Sequence, residues 1–498
     1  MKNILVAGMS KDKFTERIFS NLAKKNFVID SLTGFHNWNS KNVNETVNAI
    51  SAMSPHGLKD SFHMVNPEIL DRDILDYFNR ARPYFLRVLD RFYIKPISER
   101  EAEQYFNDCI SYILAYLKKD KKYDLCFSLY SPHSPTGIIT YYACKYLGIP
   151  YFFGVRTLLP ELIMFSDDFE AKEPTFFKFD KTKFKDDITL NTRNDINYLL
   201  SEPVWLLDAG KAINKTGNWY LSNKNHSGSL LSVIARNKYV IPYVPFLKFI
   251  LDFTKLILTG NFLRNEFYKL KKFDAIKLII KNIKLARTLH KWQKNNSKKS
   301  IEAKNYFYFS MHYQPERTTD PEANYFTQQY LAIKLLSTAL PDGYILYVKD
   351  HPRQFVDKMD IAKVNFRNIH EYEAINSLPN TFFLDPEIDS KEIIKNAKLV
   401  SSCTGSALWE ALLECVPSIS FGFTWHADCE SSPNFSSVKS INDQIKKLLE
   451  KDKKNVKDDL YEFILKNKDC FIQSHFGEIM ANESKLDTNL LAGNFSAA

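Results

Sequence analysis

The chain has 498 residues, 45% of them hydrophobic and 25% charged. That length suits two or three globular domains of roughly 150 residues, and the composition excludes a disordered, collagen-like or disulfide-stapled chain. The net charge is +9, yet residues 261–300 alone hold twelve Lys or Arg against two acids, Glu266 and Asp274, so the remainder is close to neutral. The charge reads as one local electrostatic patch, and no RNA-binding motif accompanies it, which argues against a nucleic-acid partner. The seven cysteines (Cys109, Cys126, Cys144, Cys403, Cys415, Cys429 and Cys470) are scattered with no C-x-x-C pair. They suggest neither a zinc site nor a disulfide framework, and a reducing cytoplasm fits them.

Residues 4–7 are a short apolar run closing on Gly8, too short for a signal peptide and suited to a first buried strand. Residues 13–25 have helical spacing, with Phe14, Ile18, Leu22 and Ala23 on one face, and 27–30 read as the next strand. Strand, helix, strand at this spacing opens a parallel α/β sheet. Residues 66–119 are mainly helical, and 124–129 form a buried strand ending in the Ser/Pro/His loop 130–135. A helix then runs to Leu147, stopped by Gly148, and 149–154 are another strand. Residues 1–165 therefore read as one α/β domain. Residues 166–300 break the rhythm with long helical stretches and a polar loop at 222–229. An apolar stretch, 242–258, is interrupted at helical spacing by Lys248, Asp252 and Lys255. A basic amphipathic pattern follows over 262–292, where Ile276, Ile279, Ile280, Ile283 and Leu289 interleave with Lys277, Lys281, Lys284, Arg287 and Lys291. The Lys/Asn/Ser stretch 294–300 reads as a linker. From residue 306 the α/β rhythm returns, with strands at 306–310, 344–349, 381–384, 399–401 and 418–421 and helices at 326–340 and 407–414. That makes 301–430 a second α/β domain, and 431–498 read as helices packing back on both. No run of about 20 uncharged apolar residues predicts a spanning helix.

Three segments could carry chemistry, each following a strand, where ligands of parallel sheets bind. In Tyr347-Val348-Lys349-Asp350-His351-Pro352 a strand ends at a His-Pro pair. Pro352 fixes the backbone, and the imidazole could neutralise a phosphate or act as a general acid; the alternative is a solvated His at a strand end. In residues 400–411 a strand runs through Ser401, Ser402, Cys403, Thr404, Gly405 and Ser406 into a helix containing Trp409 and Glu410. Free N–H groups and the helix dipole would make an anion site, with hydroxyl donors from Ser402, Thr404 and Ser406, close approach at Gly405 and Glu410 accepting from ribose hydroxyls. The alternative is an ordinary N-cap at Thr404 or Ser406. The spacing fits neither a P-loop nor a dinucleotide fingerprint. In residues 311–320, Glu316 or Asp320 could serve as base or nucleophile and Arg317 could hold a carboxylate or phosphate; an internal Glu–Arg contact in a surface turn is the alternative.

Taken together, strand-His-Pro, the Ser-Ser and Thr-Gly-Ser loop before a Trp-Glu helix, Pro417, and a strand ending at Phe421-Gly422 resemble bacterial capsule and lipopolysaccharide glycosyltransferases. The resemblance is nearest to the Kdo-transferase-like capsule-polysaccharide families and their sialyltransferase relatives. Asp385-Pro386, Asp389-Ser390 and Ala397 match in spacing. The resemblance covers residues 305–425 and extends weakly to 130–161 through Pro132-His133 and Leu159-Pro160-Glu161. It implies a GT-B-like α/β fold, two Rossmann-like domains facing a cleft, here with a helical basic insertion. It also implies a CMP-sugar donor with no further cofactor and no metal.

By that resemblance His351 contacts the donor phosphate, the 401–406 loop holds the phosphate and ribose, and Glu316 stands where retaining members carry an Asp. With them, Lys349 and Glu410 are expected to bind the donor, and Arg317, near the sugar acid, is expected to join His351 and Glu316 in the chemistry. Ser131, His133, Arg156 and Glu161 lie after strands of the first domain and are the acceptor candidates. The implied activity is transfer of an acidic sugar, Kdo or another nonulosonate, to a capsule or lipopolysaccharide glycan or glycolipid. A UDP-sugar transferase or 2-epimerase-like enzyme, and a non-catalytic membrane-surface scaffold, are the alternatives. Residues 243–300 would suit an anionic membrane surface or an acidic glycan, giving a cytoplasmic protein peripheral to the inner membrane.

Overall fold

The computed structural model describes residues 2–9, 27–33, 41–48, 55–92, 98–119, 123–128, 130–159, 162–171, 174–178, 284–285, 287–351 and 367–473, with positions 19, 20, 23, 24, 195–197, 200 and 354 besides. The first half contains β1 (Lys2–Met9), β2 (Phe27–Thr33), β3 (Glu45–Asn48), α1 (Pro55–Ser61), α2 (Arg72–Phe78), α3 (Arg82–Phe92), α4 (Glu99–Lys118), β4 (Leu125–Ser128), α5 (Pro135–Leu147), β5 (Tyr151–Arg156) and β6 (Leu162–Ser166). The second contains β7 (Tyr306–Ser310), α6 (Gln329–Thr338), β8 (Ile345–Lys349), α7 (Ile369–Asn376), β9 (Thr381–Phe383), α8 (Ser390–Asn396), β10 (Leu399–Ser402), α9 (Ser406–Leu413), β11 (Ser418–Ser420), α10 (Ile441–Leu449), α11 (Lys453–Lys466) and β12 (Ile472–Gln473). Among the described residues these make two sheets, ordered β12-β6-β5-β4-β1-β2-β3 and β11-β10-β7-β8-β9. The second is parallel throughout; the first is parallel from β5 to β3, with β6 and β12 antiparallel at one edge. Each is a doubly wound, Rossmann-like sheet that reverses its winding direction once, between β1 and β4 and between β7 and β10.

The second sheet shows why its strands read as continuous apolar runs. Tyr306, Tyr308 and Tyr347 pack on one face with Leu384, Ile393 and Val400, while Phe307, Phe309, Leu346 and Val348 pack on the other. Alternate side chains enter opposite faces, and both faces are covered, so no polar position interrupts the strand. Helix starts follow local chemistry. Ser98 and Glu101 form a reciprocal capping box at α4. Ser134 accepts from the Gly137 N–H and Pro135 opens α5, which Gly148 closes at φ 68°.

The predicted strand at 149–154 starts later, at Tyr151. The Ile149 N–H donates back to Cys144 O at 2.8 Å, so Ile149 belongs to the helix closure. The predicted helix at 326–340 starts at Gln329, because 324–327 form a tighter 3-10 turn. Strands β3, β6 and β12 were not anticipated. β12 is two residues long and reaches the first sheet from the far end of the chain, pairing Ile472 with Ile163, so no periodicity announces it. Of the helix expected at 13–25, only positions 19–20 and 23–24 are described, and they are helical. The expectations for 179–194 and for 201–283, including the polar loop, the apolar stretch and most of the basic pattern, lie outside the described residues. The end of that pattern, 287–292, is helical and the helix runs on through 296 into the expected linker, with Leu289 and Trp292 packed into the second core. Among the described residues no helix is long and apolar enough to cross a membrane.

Candidate active site

The ends of both sheets' switch points meet in one cavity of about 500 Å³. The first half contributes Ser131, after β4, and β5 with Arg156. The second contributes Ser310 to Tyr313, Glu316, Arg317, Thr318 and Glu322 after β7, and His351 after β8. The turn 402–407 after β10 and Phe423 to His426 after β11 complete the lining.

The β10–α9 turn is built around His312. The Thr404 N–H donates to His312 Nε2 at 3.0 Å, the Thr404 hydroxyl donates to Thr318 O, and Ser402 Oγ donates to Ser310 O at 2.7 Å. Gly405, expected to be flanked by a Thr404 or Ser406 cap, is itself the N-cap of α9, and no side chain caps the helix. A Cβ there would stand 2.8 Å from Ser402 Oγ and 3.4 Å from the His312 ring, so a side chain at 405 would have to displace the Ser402 hydroxyl. The groups this turn leaves to face an anion are main-chain N–H groups at the positive end of α9. The expected hydroxyl donors give their protons to the protein: Ser406 Oγ donates to Glu410 Oε1 at 2.9 Å.

Three expected donor-binding residues stand apart from the cavity lining. Ser401 is fully buried within β10 and donates to Ile419 O at 2.9 Å. Glu410 is engaged by Ser406 behind the turn, and its burial raises its pKa. Lys349, 3% exposed, continues the Tyr347 face of β8 and donates to Ser390 Oγ at 2.7 Å. Burial lowers its pKa to about 8, against the pull of Asp389, Glu410 and Asp385. A strand end fixes which segment reaches the cleft, but not each side chain: alternation along β10 turns Ser401 to the face opposite Ser402, Lys349 bonds to Ser390, and Glu410 lies on α9 behind the turn.

His351 lines the cavity, its ring 5.9 Å from that of Tyr313. The main-chain N–H of His351 donates to Asp350 Oδ1 at 2.7 Å. Asp350 in turn is held by Arg367, whose Nε lies 3.1 Å from Oδ2, and by the Tyr372 hydroxyl. The fully buried Arg367 also donates to His312 O at 2.7 Å and to Gln314 Oε1 at 2.5 Å, tying the ends of β7 and β8 together. Its local partner is Glu371, four residues on and 3.9 Å away, but its hydrogen-bond partners lie at least 17 residues away in sequence, so the sequence around it does not mark the clamp.

Glu316 keeps 43% of its side chain exposed and accepts from Thr318 Oγ1 at 3.0 Å. Arg317 lies over the Tyr130 ring at 5.0 Å, with Nε 3.5 Å from Glu322 Oε1, which also accepts from Ser131 Oγ at 2.6 Å. Arg156 faces Arg317 from the other half of the molecule; burial, then the Arg317 charge, lower its pKa. No carboxylate among the described residues forms an ion pair with Arg156. His133, expected near the acceptor, stands outside the lining: its Nδ1 donates to Ser131 O at 2.8 Å and shapes that turn. Glu161 and Pro352 lie outside the described residues. His426, unforeseen, closes one wall beside Trp425, with Nδ1 3.0 Å from Ser432 Oγ. Among the described residues no group of three or more His, Cys, Asp or Glu could hold a metal ion.

The cavity thus collects two guanidinium groups, an uncapped helix start and the three imidazoles of His312, His351 and His426 around two carboxylates, Glu316 and Glu322, an arrangement that can bind an anionic ligand and move a proton beside it. No known family model matches the chain, and no curated protein matches it. Among solved structures it is similar to the UDP-GlcNAc 2-epimerase of Methanocaldococcus jannaschii, at 13% identity over 92% of this chain and 98% of that one, TM-score 0.22. It is also similar to the beta Kdo 2,7 transferase KpsC of Thermosulfurimonas dismutans, at 9% identity over 71% and 80%, TM-score 0.28. A third is the UDP-forming alpha,alpha-trehalose-phosphate synthase of Burkholderia vietnamiensis, at 9% over 100% and 99%, TM-score 0.28. At these TM-scores the likenesses carry no functional weight. The GT-B-like arrangement of two Rossmann-like domains rests on this chain's own strand orders and on the cavity where their strand ends meet.

Proposed function

We propose that the protein is a glycosyltransferase that moves an acidic sugar, Kdo or another nonulosonate, from a CMP donor to a capsule or lipopolysaccharide glycan. The observation that carries this reading is the convergence of His351, the uncapped start of α9, Arg156 and Arg317 on one interdomain cavity. In this reading the main-chain N–H groups at 405–407 hold the donor phosphate, and His351 stabilises it as it leaves. Arg317 engages the sugar carboxylate as a fork donor. Glu316 is the carboxylate beside the reacting carbon, where positive charge develops in the transition state. Ser131 and Arg156 take the acceptor side. The reaction takes place in the cytoplasm, with the basic segment 243–300 resting on an anionic membrane surface where the glycolipid acceptor is presented.

The test is incubation of the purified protein with a panel of CMP-sugars and UDP-sugars, with products identified by NMR. The expected result is transfer from a CMP-nonulosonate, reduced by about 10²-fold or more in His351→Ala and in Glu316→Gln. Epimerisation or hydrolysis of UDP-sugars alone overturns the donor assignment. Unchanged cellular polysaccharide in a His351→Ala strain overturns the enzyme assignment in favour of a scaffold.

A further inference from the structure

A backbone amide can only donate a hydrogen bond. The Thr404 N–H points at His312 Nε2 across 3.0 Å, so that nitrogen bears the lone pair and the neutral ring carries its proton on Nδ1. His312 Nδ1 lies 3.3 Å from Thr318 Oγ1, which therefore accepts from it. The Thr318 hydroxyl has one proton, and Glu316 Oε2 receives it at 3.0 Å. Each link has one donor and one acceptor, so the chain runs in one direction, from the Thr404 amide through the imidazole and the hydroxyl to the carboxylate.

Protonating Nε2 would set two N–H groups face to face in a site where the histidine is 7% exposed. The charged and titratable groups around the ring are Glu316, 4.0 Å from Nδ1, His351, and Arg367, which holds the His312 carbonyl. Burial first, then the His351 ring and the Arg367 guanidinium, push the His312 pKa down to about 3. Glu316 alone favours a cationic ring, and it is half-exposed to water.

We infer that His312 is a positioning residue: as a neutral, Nδ1-protonated imidazole it ties the Thr404 amide, at the base of the anion-binding turn, to the Glu316 carboxylate. It sets the separation of those two groups and neither gains nor loses a proton while they act. This role rests on the proposed reaction for its consequence, but the tautomer does not.

Two measurements test it. In the full-length protein with ¹⁵N-labelled histidine, the His312 resonances, assigned by their loss in His312→Gln, should report a protonated Nδ1 and a bare Nε2, unchanged from pH 8 to pH 5. An Nε2-protonated ring, or titration within that range, overturns the inference whatever the protein's activity. The second measurement compares two variants of equal thermal stability to each other in the transferase assay. In His312→Gln the side-chain carbonyl can accept from Thr404 and the amide can donate to Thr318; in His312→Leu neither bond can form. His312→Gln should keep turnover within about 3-fold of the parent with an unshifted pH profile, whereas His312→Leu should lose about 10-fold or more. Equal losses in both overturn the positioning role, because a glutamine cannot replace an acid–base histidine. A parent protein without transferase activity, but with the expected tautomer, would defeat the proposed function and leave the hydrogen-bond chain standing.

Discussion

Two histidines, His312 and His426, are buried among the described residues, at 7% and 2% exposure. Burial pushes each pKa down to about 3. In the unfolded chain each titrates near 6.5. Between those values the unfolded state binds a proton that the folded state refuses, so stability falls as pH drops from about 6.5 towards 3 and is insensitive to these groups above about 7. Each should contribute about 1.4 kcal/mol per pH unit well inside the window. His426 packs against Trp409 and Trp425 with its Nδ1 at Ser432, and a glutamine could keep that bond. Urea unfolding of parent and His426→Gln between pH 6.5 and 5 should give a shallower loss of stability in the variant; parallel slopes would refute the assignment. The site was legible in the sequence as far as its strand ends, because an apolar run stopped by small polar residues identifies where a parallel strand meets solvent. The partners of those residues were not. His312 stands in a motif that drew attention to Glu316 and Arg317, and only the fold brings Thr404, 92 positions away, to its ring.

At the scale of elements, the parallel strands other than β3 and most helices of both halves were legible because period and caps are local, while the clamps between elements are not. Arg367, just before α7, joins the ends of β7 and β8 through Asp350, Gln314 and the His312 carbonyl. Both charges of the pair are fully buried, and the Asp350 charge raises the pKa of Arg367 further above its ordinary value. Removing one partner leaves the other buried and uncompensated, which costs about 3–5 kcal/mol, whereas replacing both with apolar groups of like shape costs much less. Arg367→Met should therefore be strongly destabilising in chemical denaturation, and Arg367→Met combined with Asp350→Leu should recover much of the loss. Additive losses would mean that the pair does not act as a unit. The edge strands β3 and β12, and β6 beside β12, escaped the sequence for the converse reason: short segments carry little period, and pairing at an edge is decided by what reaches it.

At the scale of the whole molecule, the core of the first half is completed by residues from the end of the chain. Val456, Leu460, Tyr461, Phe463 and Ile464 of α11, followed by Cys470 and Phe471, belong to the same buried cluster as Ile110, Ile138, Phe153 and Met164. Trp409, Phe423 and Trp425, from around the cavity, join that cluster as well, whereas β7, β8 and α10 fill a separate one. The two halves are further linked beside the cavity, where Ser131 Oγ donates to Glu322 and Arg87 donates to Asn324 O at 2.8 Å. The first sheet is therefore stabilised by a helix that follows the second in sequence, and a cavity made in that helix should be felt in the first half. Leu460→Ala should cost about 2–5 kcal/mol. By hydrogen exchange, the added opening should appear in peptides covering α4, α5, β5 and β6, while β7 and β8 keep their protection, because local opening follows the contiguous core that was weakened. Equal acceleration in β7 and β8 would show instead that both sheets open as one cooperative unit, with the apolar contacts of Trp409 and Trp425 strong enough to bind the two halves into a single folding unit.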